Sequence, residues 1–430
     1  MTIRNLALRA LAAFLAFNLL ALFVTITPYG LLLALSVSAS VLLIDHRNGL
    51  LLVISSFVLV LMLEGFVRFS GNSVITTYYR AHEMLAEETR YRANQRIEMR
   101  EAHGDLLAID PSLDHALSQP REVVFQTDSK GFRNDAEQAA GQVLVVGDSF
   151  VVGIGNTQAD TLTAQMGRNH GLSAYNMGFP AGPFQYANII EAARAELGED
   201  ACIVAVVFEG NDFRDIDPAE LAARKAVPRG AQNIVKTYLG VLRSPFEVSR
   251  VFFGLYTQGL ERLRKRSAGS EAQGAPAEVT LVLPVAGAPM VFLKGYAQVV
   301  LREGYDDFGY MHDQFARGTP DLLVFAPEKY RVYGPLLDQN PAGELPQAQL
   351  AHLAKIAGDL DVPLLDLTEA LSSRARELLS QGELIYWRDD SHWNRAGIEV
   401  GAREIVRTLA SHHKGACNTA LAVNLSAMSP

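Results

Sequence analysis

The sequence predicts an α/β protein: a three-layer sandwich around a mostly parallel sheet, preceded by N-terminal transmembrane helices. Three observations predict it. Residues 10–44 contain no charged side chain. From Gln142 onward, short β-branched runs alternate with helix-forming segments. The runs are apolar throughout, as in strands covered on both faces, and strand–helix alternation favours a parallel sheet.

The uncharged run is too long for one crossing. As a single helix it would extend about 50 Å, against a hydrocarbon core of about 30 Å. Thr27-Pro28-Tyr29-Gly30 is a natural turn within it. A third apolar run, Leu50 to Leu63, follows the polar break Asp45-His46-Arg47-Asn48-Gly49. The expectation is a transmembrane region over residues 1–69 with three helices, near 8–26, 29–44 and 49–67. With three spans, Arg4, Arg9 and Arg47 share one side, which the positive-inside tendency makes the cytoplasm. Everything after Phe69 then lies outside it. Two spans would reverse that.

Residues 70–139 are polar and charge-rich, with helix-forming composition around His82 to Glu101, and suggest a stalk and lead-in, or a helix packed on the soluble domain. Val123-Val124-Phe125 followed by Thr127 to Gly131 suggests a strand and turn. The α/β domain spans residues 140–412, with strands at Gln142 to Val146, Ser173 to Tyr175, Ala201 to Phe208, Asp321 to Ala326 and Pro363 to Asp366. Helices fall at Pro183 to Leu197, Leu345 to Leu360, Thr368 to Gln381 and Asn394 to His412. The alternation breaks between residues 213 and 320, which suggests an insertion. It holds an apolar helical patch (Ile234 to Leu263), a flexible loop (Arg264 to Glu278) and a hairpin (Val279 to Leu293). Residues 413–430 form a tail.

Composition excludes some classes. The net charge of -9 argues against a nucleic-acid partner, which wants a basic face. The two cysteines, Cys202 and Cys417, make no disulfide framework or zinc set; Cys202 reads as a small buried hydrophobe, with a disulfide to Cys417 as the lesser alternative. Asp212, Asp215 and Asp217 read as a solvated acidic loop. No metal site and no cofactor is implied.

The chemistry centres on Gly147-Asp148-Ser149 at the end of a buried strand. Open α/β sheets bind ligands at the carboxyl ends of their strands. Gly147 allows a tight turn, and Ser149 opens a helix whose N–H groups favour negative charge. Asp148 doubles as a helix cap. A serine hydroxyl needs an adjacent base, and Asp389-Asp390-Ser391-His392-Trp393-Asn394 offers His392. Two carboxylates compete to orient it, Asp389 three residues before and Asp390 two. Oxyanion donors are available from the backbone of Ser149, from Gly178 in Asn176-Met177-Gly178, and from the side chain of Asn211 in Glu209-Gly210-Asn211-Asp212. Asn211 and Asp212 also suit a plain turn.

These four segments resemble the SGNH (GDSL-like) hydrolase family, whose fold is flavodoxin-like. Ser149, Gly178, Asn211 and His392 match its Ser, Gly, Asn and His in order, over roughly residues 140–412. The family spacing Asp-x-x-His selects Asp389 over Asp390. One departure is Glu209, which occupies the usual glycine position of Gly-x-Asn-Asp. The resemblance implies acyl transfer through an acyl-serine, by an esterase or an acetyltransferase. Membrane spans ahead of such a domain look like proteins that add or remove O-acetyl groups on bacterial cell-surface polysaccharide. That implies a carbohydrate acyl ester as substrate, an inner-membrane location with the catalytic domain outside the cytoplasm, and partnership with other membrane-bound polysaccharide-modifying proteins. Two other readings stay open: a lipid esterase or thioesterase at the bilayer, and a catalytically silent polysaccharide-binding or assembly module.

Overall fold

A computed structural model describes residues 3–23, 28–44, 46–69, 90–110, 112–198, 201–213, 279–339, 341–411 and 417–418. The chain divides into two compact units, one holding residues 1–76 and 226–276, the other residues 77–225 and 277–430.

The described part of the first unit is three helices: α1 (Ile3–Ala21), α2 (Pro28–Val41) and α3 (His46–Phe69). Small side chains, Ala12, Ala13 and Ala16, pack with Val41 and Val53, while Leu51, Leu52, Ile54 and Met62 stay exposed. An outward apolar surface on a helix this long suits lipid. Two segments, Arg4–Ala21 and His46–Phe66, are long and apolar enough to cross a membrane. The expected middle span is present as a helix of only 14 residues, about 21 Å at the standard rise. By length alone it falls short of a crossing.

The second unit is built on a five-stranded parallel sheet of β3 (Val143–Gly147), β4 (Ala174–Asn176), β5 (Ile203–Phe208), β8 (Leu322–Ala326) and β9 (Leu364–Asp366). Its spatial order is β4-β3-β5-β8-β9. Counting these strands along the chain gives 2-1-3-4-5, the flavodoxin-like order, whose direction of winding reverses between its first and third strands. Strand side chains alternate between two cores, as a period of two requires. Val143, Val145, Val204, Val206, Leu322 and Val324 enter one. Leu144, Val146, Ile203, Ala205, Val207 and Leu323 enter the other. All six residues of β5 are buried, as two-sided coverage demands.

Helices α4 (Asp105–Ile109), α5 (Ser149–Val152), α6 (Leu162–His170), α7 (Pro183–Leu197), α8 (Lys294–Val300), α9 (Tyr310–Arg317), α10 (Lys329–Tyr333), α11 (Ala348–Asp359), α12 (Thr368–Leu379) and α13 (Arg395–Ser411) complete the second unit among the described residues. Leu162 and Met166 of α6 join Leu371 of α12 and Ile398 and Ile405 of α13 in the first core. Tyr186 and Ile190 of α7, Met311 of α9 and Leu353 of α11 fill the second.

Two sequence expectations change here. The stretch expected to continue a helix to Glu101 is in part a strand, β1 (Arg96–Ala102), antiparallel to β2 (Arg121–Gln126). The reason is visible in Arg96-Ile97-Glu98-Met99, which alternates with period two. Met99, Val123 and Phe125 of this hairpin enter the second core beside Leu144 and Val146. From Arg90 on, the lead-in belongs to the same unit as the sheet rather than to a separate stalk. The second change concerns the cysteines. Cys202 is not a free hydrophobe, because it is disulfide-bonded to Cys417 across 215 residues of sequence. The link ties the chain beyond α13 to the start of β5.

The expected hairpin of the insertion is present as β6 (Thr280–Val285) and β7 (Ala288–Leu293). The apolar patch at 234–263, the loop at 264–278, and Asp215 and Asp217 lie outside the described residues.

Candidate active site

Ser149 stands at the carboxyl end of β3, beside the reversal in strand order. A Cβ on Gly147 would lie 2.5 Å from Val151 Cγ2 and 2.9 Å from Val206 O, so the turn needs glycine. Asp148 caps α5, its Oδ1 accepting from Phe150 N–H at 2.8 Å. Buried Arg133 donates to Val152 O (3.0 Å) and Gly153 O (2.7 Å), fastening the other end of this short helix.

His392 comes from the loop before α13. Its Nε2 lies 2.7 Å from Ser149 Oγ. Trp393, fully buried, donates from Nε1 to Phe150 O at 3.3 Å. The Phe150 ring sits 5.1 Å from the imidazole and 5.2 Å from the indole. Asn394 caps α13 by accepting from Ala396 N–H at 2.9 Å.

The carboxylate on His392 is Asp390, not Asp389. Asp390 Oδ1 accepts from the ring Nδ1 at 2.6 Å and from the His392 backbone N–H at 3.0 Å. A carboxylate two residues ahead reaches both donors in one Asx-type turn. Asp389 faces the other way. Its carboxylate accepts from Gly104 N–H, Gln119 N–H and Arg121 Nη1, each at 2.9 Å. With Nδ1–H committed to a carboxylate, Nε2 is left as the acceptor for the Ser149 hydroxyl.

Several of these partners were absent from the sequence reading. Arg121 of β2 spans both carboxylates, with Nη2 at 2.6 Å from Asp390 Oδ2, and lies over the Trp387 ring at 4.3 Å. Lys329 is buried, and its ammonium donates to Val291 O (2.6 Å), Trp387 O (2.7 Å), Asp390 O (3.0 Å) and Arg388 O (3.1 Å). Asp105 of α4 accepts from Ser391 N–H at 2.7 Å and from the Ser391 hydroxyl. Its Oδ2 is 3.7 Å from His392 Nδ1. The sequence signal for all three is weak, since each belongs to an element far along the chain from the loop it holds.

Proton affinities follow from this packing. Burial alone pushes the His392 imidazole down, but Asp390, with Asp105 and Asp148 behind it, holds it above the ordinary histidine value. Burial opposes ionisation of Asp390 as well, yet His392 and Arg121 keep its carboxyl well below the usual range. Burial and the charge of Asp390 push Asp105 up to about 7. Burial raises Asp148 to about 6 against the Phe150 N–H and His392. Lys329 is lowered to about 8 by burial, against the pull of Asp390 and Glu328.

The expected oxyanion donors separate. The Gly178 N–H is already given to Asn176 Oδ1 at 2.9 Å. A Cβ there would sit 2.5 Å from Val152 N, so Gly178 is required for packing, and its N–H is not turned to the site. The side chain of Asn211 hydrogen-bonds Asp148, and its Oδ1 is buried without a partner among the described residues. Ser149 N–H, at the first helical position, has no partner within its helix. Asp212 is not solvated as expected. It is buried and accepts from Tyr186 O–H at 3.0 Å and Phe208 N–H at 2.9 Å. Glu209, at the departed glycine position, pairs bidentately with Arg331, with Nε 2.7 and 2.8 Å from its two oxygens. One cluster of the described residues has metal-ligand spacing at the site, Asp105, Asp390 and His392. Its members are already joined to one another, to Ser149, to Ser391 and to Arg121.

Residues 310–427 match a family model described as "SGNH hydrolase-like domain, acetyltransferase AlgX". The match includes Asp389, Asp390 and His392, and Ser149 lies ahead of it. No curated protein matches the chain. A crystal structure of 17% identity covers 64% of this chain and 100% of its own at a TM-score of 0.27, too low to carry an argument. The C-terminal part of the chain is thus similar to an SGNH hydrolase-like acetyltransferase domain, and it completes a five-stranded parallel sheet.

Proposed function

We propose that this protein is a membrane-anchored serine acyltransferase or esterase that moves O-acetyl groups on cell-surface polysaccharide through an acyl-Ser149 intermediate. The observation that carries the reading is the line from Ser149 Oγ to His392 Nε2 at 2.7 Å and from Nδ1 to Asp390 at 2.6 Å. His392 takes the hydroxyl proton as Oγ attacks the acyl carbonyl. Asp148 Oδ2 is also near the hydroxyl, but at 3.5 Å the imidazole wins. Asp390 steadies the imidazolium, which then protonates the leaving alcohol oxygen. Ser149 N–H and the Asn211 amide are the donors for the oxyanion. A sugar hydroxyl or water, deprotonated by the same imidazole, resolves the acyl-enzyme. The matched family's description as an acetyltransferase favours transfer to an acceptor hydroxyl over water.

Location follows from a second argument. Disulfides persist in oxidising compartments, and the Cys202–Cys417 link favours a catalytic domain outside the cytoplasm. With the basic N-terminus inside, that requires three crossings, the short α2 completing the second with its apolar flanks.

The test is acetyl release from nitrophenyl acetate, and from O-acetylated polysaccharide, by the full chain in detergent. Ser149→Ala should lower turnover at least about a thousandfold, since triad members act as a unit. Undiminished turnover in that variant would remove the reading.

A further inference from the structure

We propose that Asp105 is a positioning residue for His392: a second carboxylate, delivered from outside the α/β core, that makes the imidazole a stronger base than Asp390 alone would. The inference rests on the reading of His392 as the base for Ser149.

A serine–histidine–aspartate line is complete with Asp390, so Asp105 has no place in it. Yet its carboxyl is buried against the same ring. Both oxygens are aimed, Oδ1 at Ser391 N–H (2.7 Å) and Oδ2 at the Ser391 hydroxyl. Ser391 is thereby clamped between the two residues of the Asp390–His392 turn. The two carboxylates differ in how their charge is balanced. Asp390 has Arg121 at 2.6 Å. Among the described residues, the basic group within ion-pair distance of Asp105 is His392, at 3.7 Å. A buried carboxylate without a cation is costly. Its charge therefore belongs with the imidazolium, the species formed as the serine proton moves. Asp105 is held up to about 7 by burial and by Asp390, and His392 is itself raised in part by the charge of Asp105.

The other charged groups around the ring are common to the wild type and the variant compared below. Asp390 lies on its own loop, Asp148 in the β3–α5 turn, Arg121 behind Asp390 on β2, and Lys329 of α10 beneath the loop. The reactive form needs His392 neutral and Asp105 ionised. Interacting groups of this kind give up protons in two macroscopic steps.

The experiment measures kcat/KM for nitrophenyl acetate against pH, with the full chain in detergent, for the wild type and Asp105→Asn. The amide retains hydrogen bonds to Ser391 and loses the charge. The acidic limb should move to lower pH by about one unit, with a lower plateau because the base is weaker. A residue that only holds Ser391 would change plateau and melting temperature and leave the limb where it was. Coincident limbs would overturn the proposal while leaving Ser149 chemistry intact. In parallel, the His392 ring nitrogens are titrated by NMR in ¹⁵N-histidine-labelled wild type, which requires neither turnover nor a folded variant. A titration in more than one step is expected, and a single step would overturn the proposal. Wild type without Ser149-dependent turnover would instead count against the function proposed above.

Discussion

The two halves of the candidate site are held in different ways. The Ser149 turn is fixed almost locally: Gly147 makes the bend, Asp148 caps the helix and Val151 closes over it. The loop from Trp387 to Asn394 is fixed from afar. Gly104, Asp105, Gln119 and Arg121 reach it from the lead-in, and Lys329 from the end of β8. At Gly104 the approach is so close that a Cβ would fall 1.9 Å from Asp389 O. Ser149 is therefore held mostly by short-range chemistry, with Arg133 and Trp393 as its distant supports. His392 depends on long-range tertiary contacts.

Variants of the distant loop should break this contrast or sharpen it. The largest effect is expected from Asp390→Asn, which frees the wrong ring nitrogen: a fall in kcat of about ten-thousandfold by analogy with other serine triads. Asp389→Asn should behave otherwise. It weakens a buried pair with Arg121 and lowers stability by about 3 kcal/mol, while kcat per folded molecule stays within about tenfold. Steady-state rates normalised to phosphonate-labelled serine, alongside thermal melts, separate the two. If Asp389→Asn proves the more damaging to kcat, the assignment of the partner reverses.

Lys329→Met comes next. It removes the ammonium from four carbonyls, of which Arg388 O keeps the Val291 N–H, so a loss of at least about 3 kcal/mol is expected, with kcat falling because the His392 loop loosens. A melt unchanged from wild type would show that the buried ammonium is not what holds that loop. The smallest effect on the chemistry is expected from Cys202→Ser. Its melting temperature should drop, by about 2–4 kcal/mol of stability, with kcat retained, because the disulfide lies at the opposite end of β5 from Asn211. Equal melts of wild type with and without reductant would argue against the link.

Much of the fold was legible because sequence and structure share short periods. The three central strands, β3, β5 and β8, fall on the apolar runs, since strands covered on both faces must be apolar at every position. Ser149 was legible because glycine, a capping carboxylate and a hydroxyl in sequence already define the turn. The partner of His392 was not, because Asp389 and Asp390 differ in direction rather than in kind, and direction is set by Arg121 and Gly104, far along the chain. Gly178 was misjudged for a similar reason: its N–H is spent on Asn176 two residues away, a local bond that family order does not reveal. The lead-in was taken for a stalk because its charge outweighed a short alternation of Ile97 and Met99, and Asp105 was lost with it. Cysteine count alone could not pair Cys202 with Cys417, since only the closed fold brings the tail to β5.

The most direct measurement is a rapid acid quench of the wild-type chain with nitrophenyl acetate, followed by peptide mass spectrometry. The account predicts a single acetyl group on the peptide bearing Ser149, absent from Ser149→Ala. Wild-type turnover with acetyl found elsewhere, or turnover retained in Ser149→Ala, would contradict it.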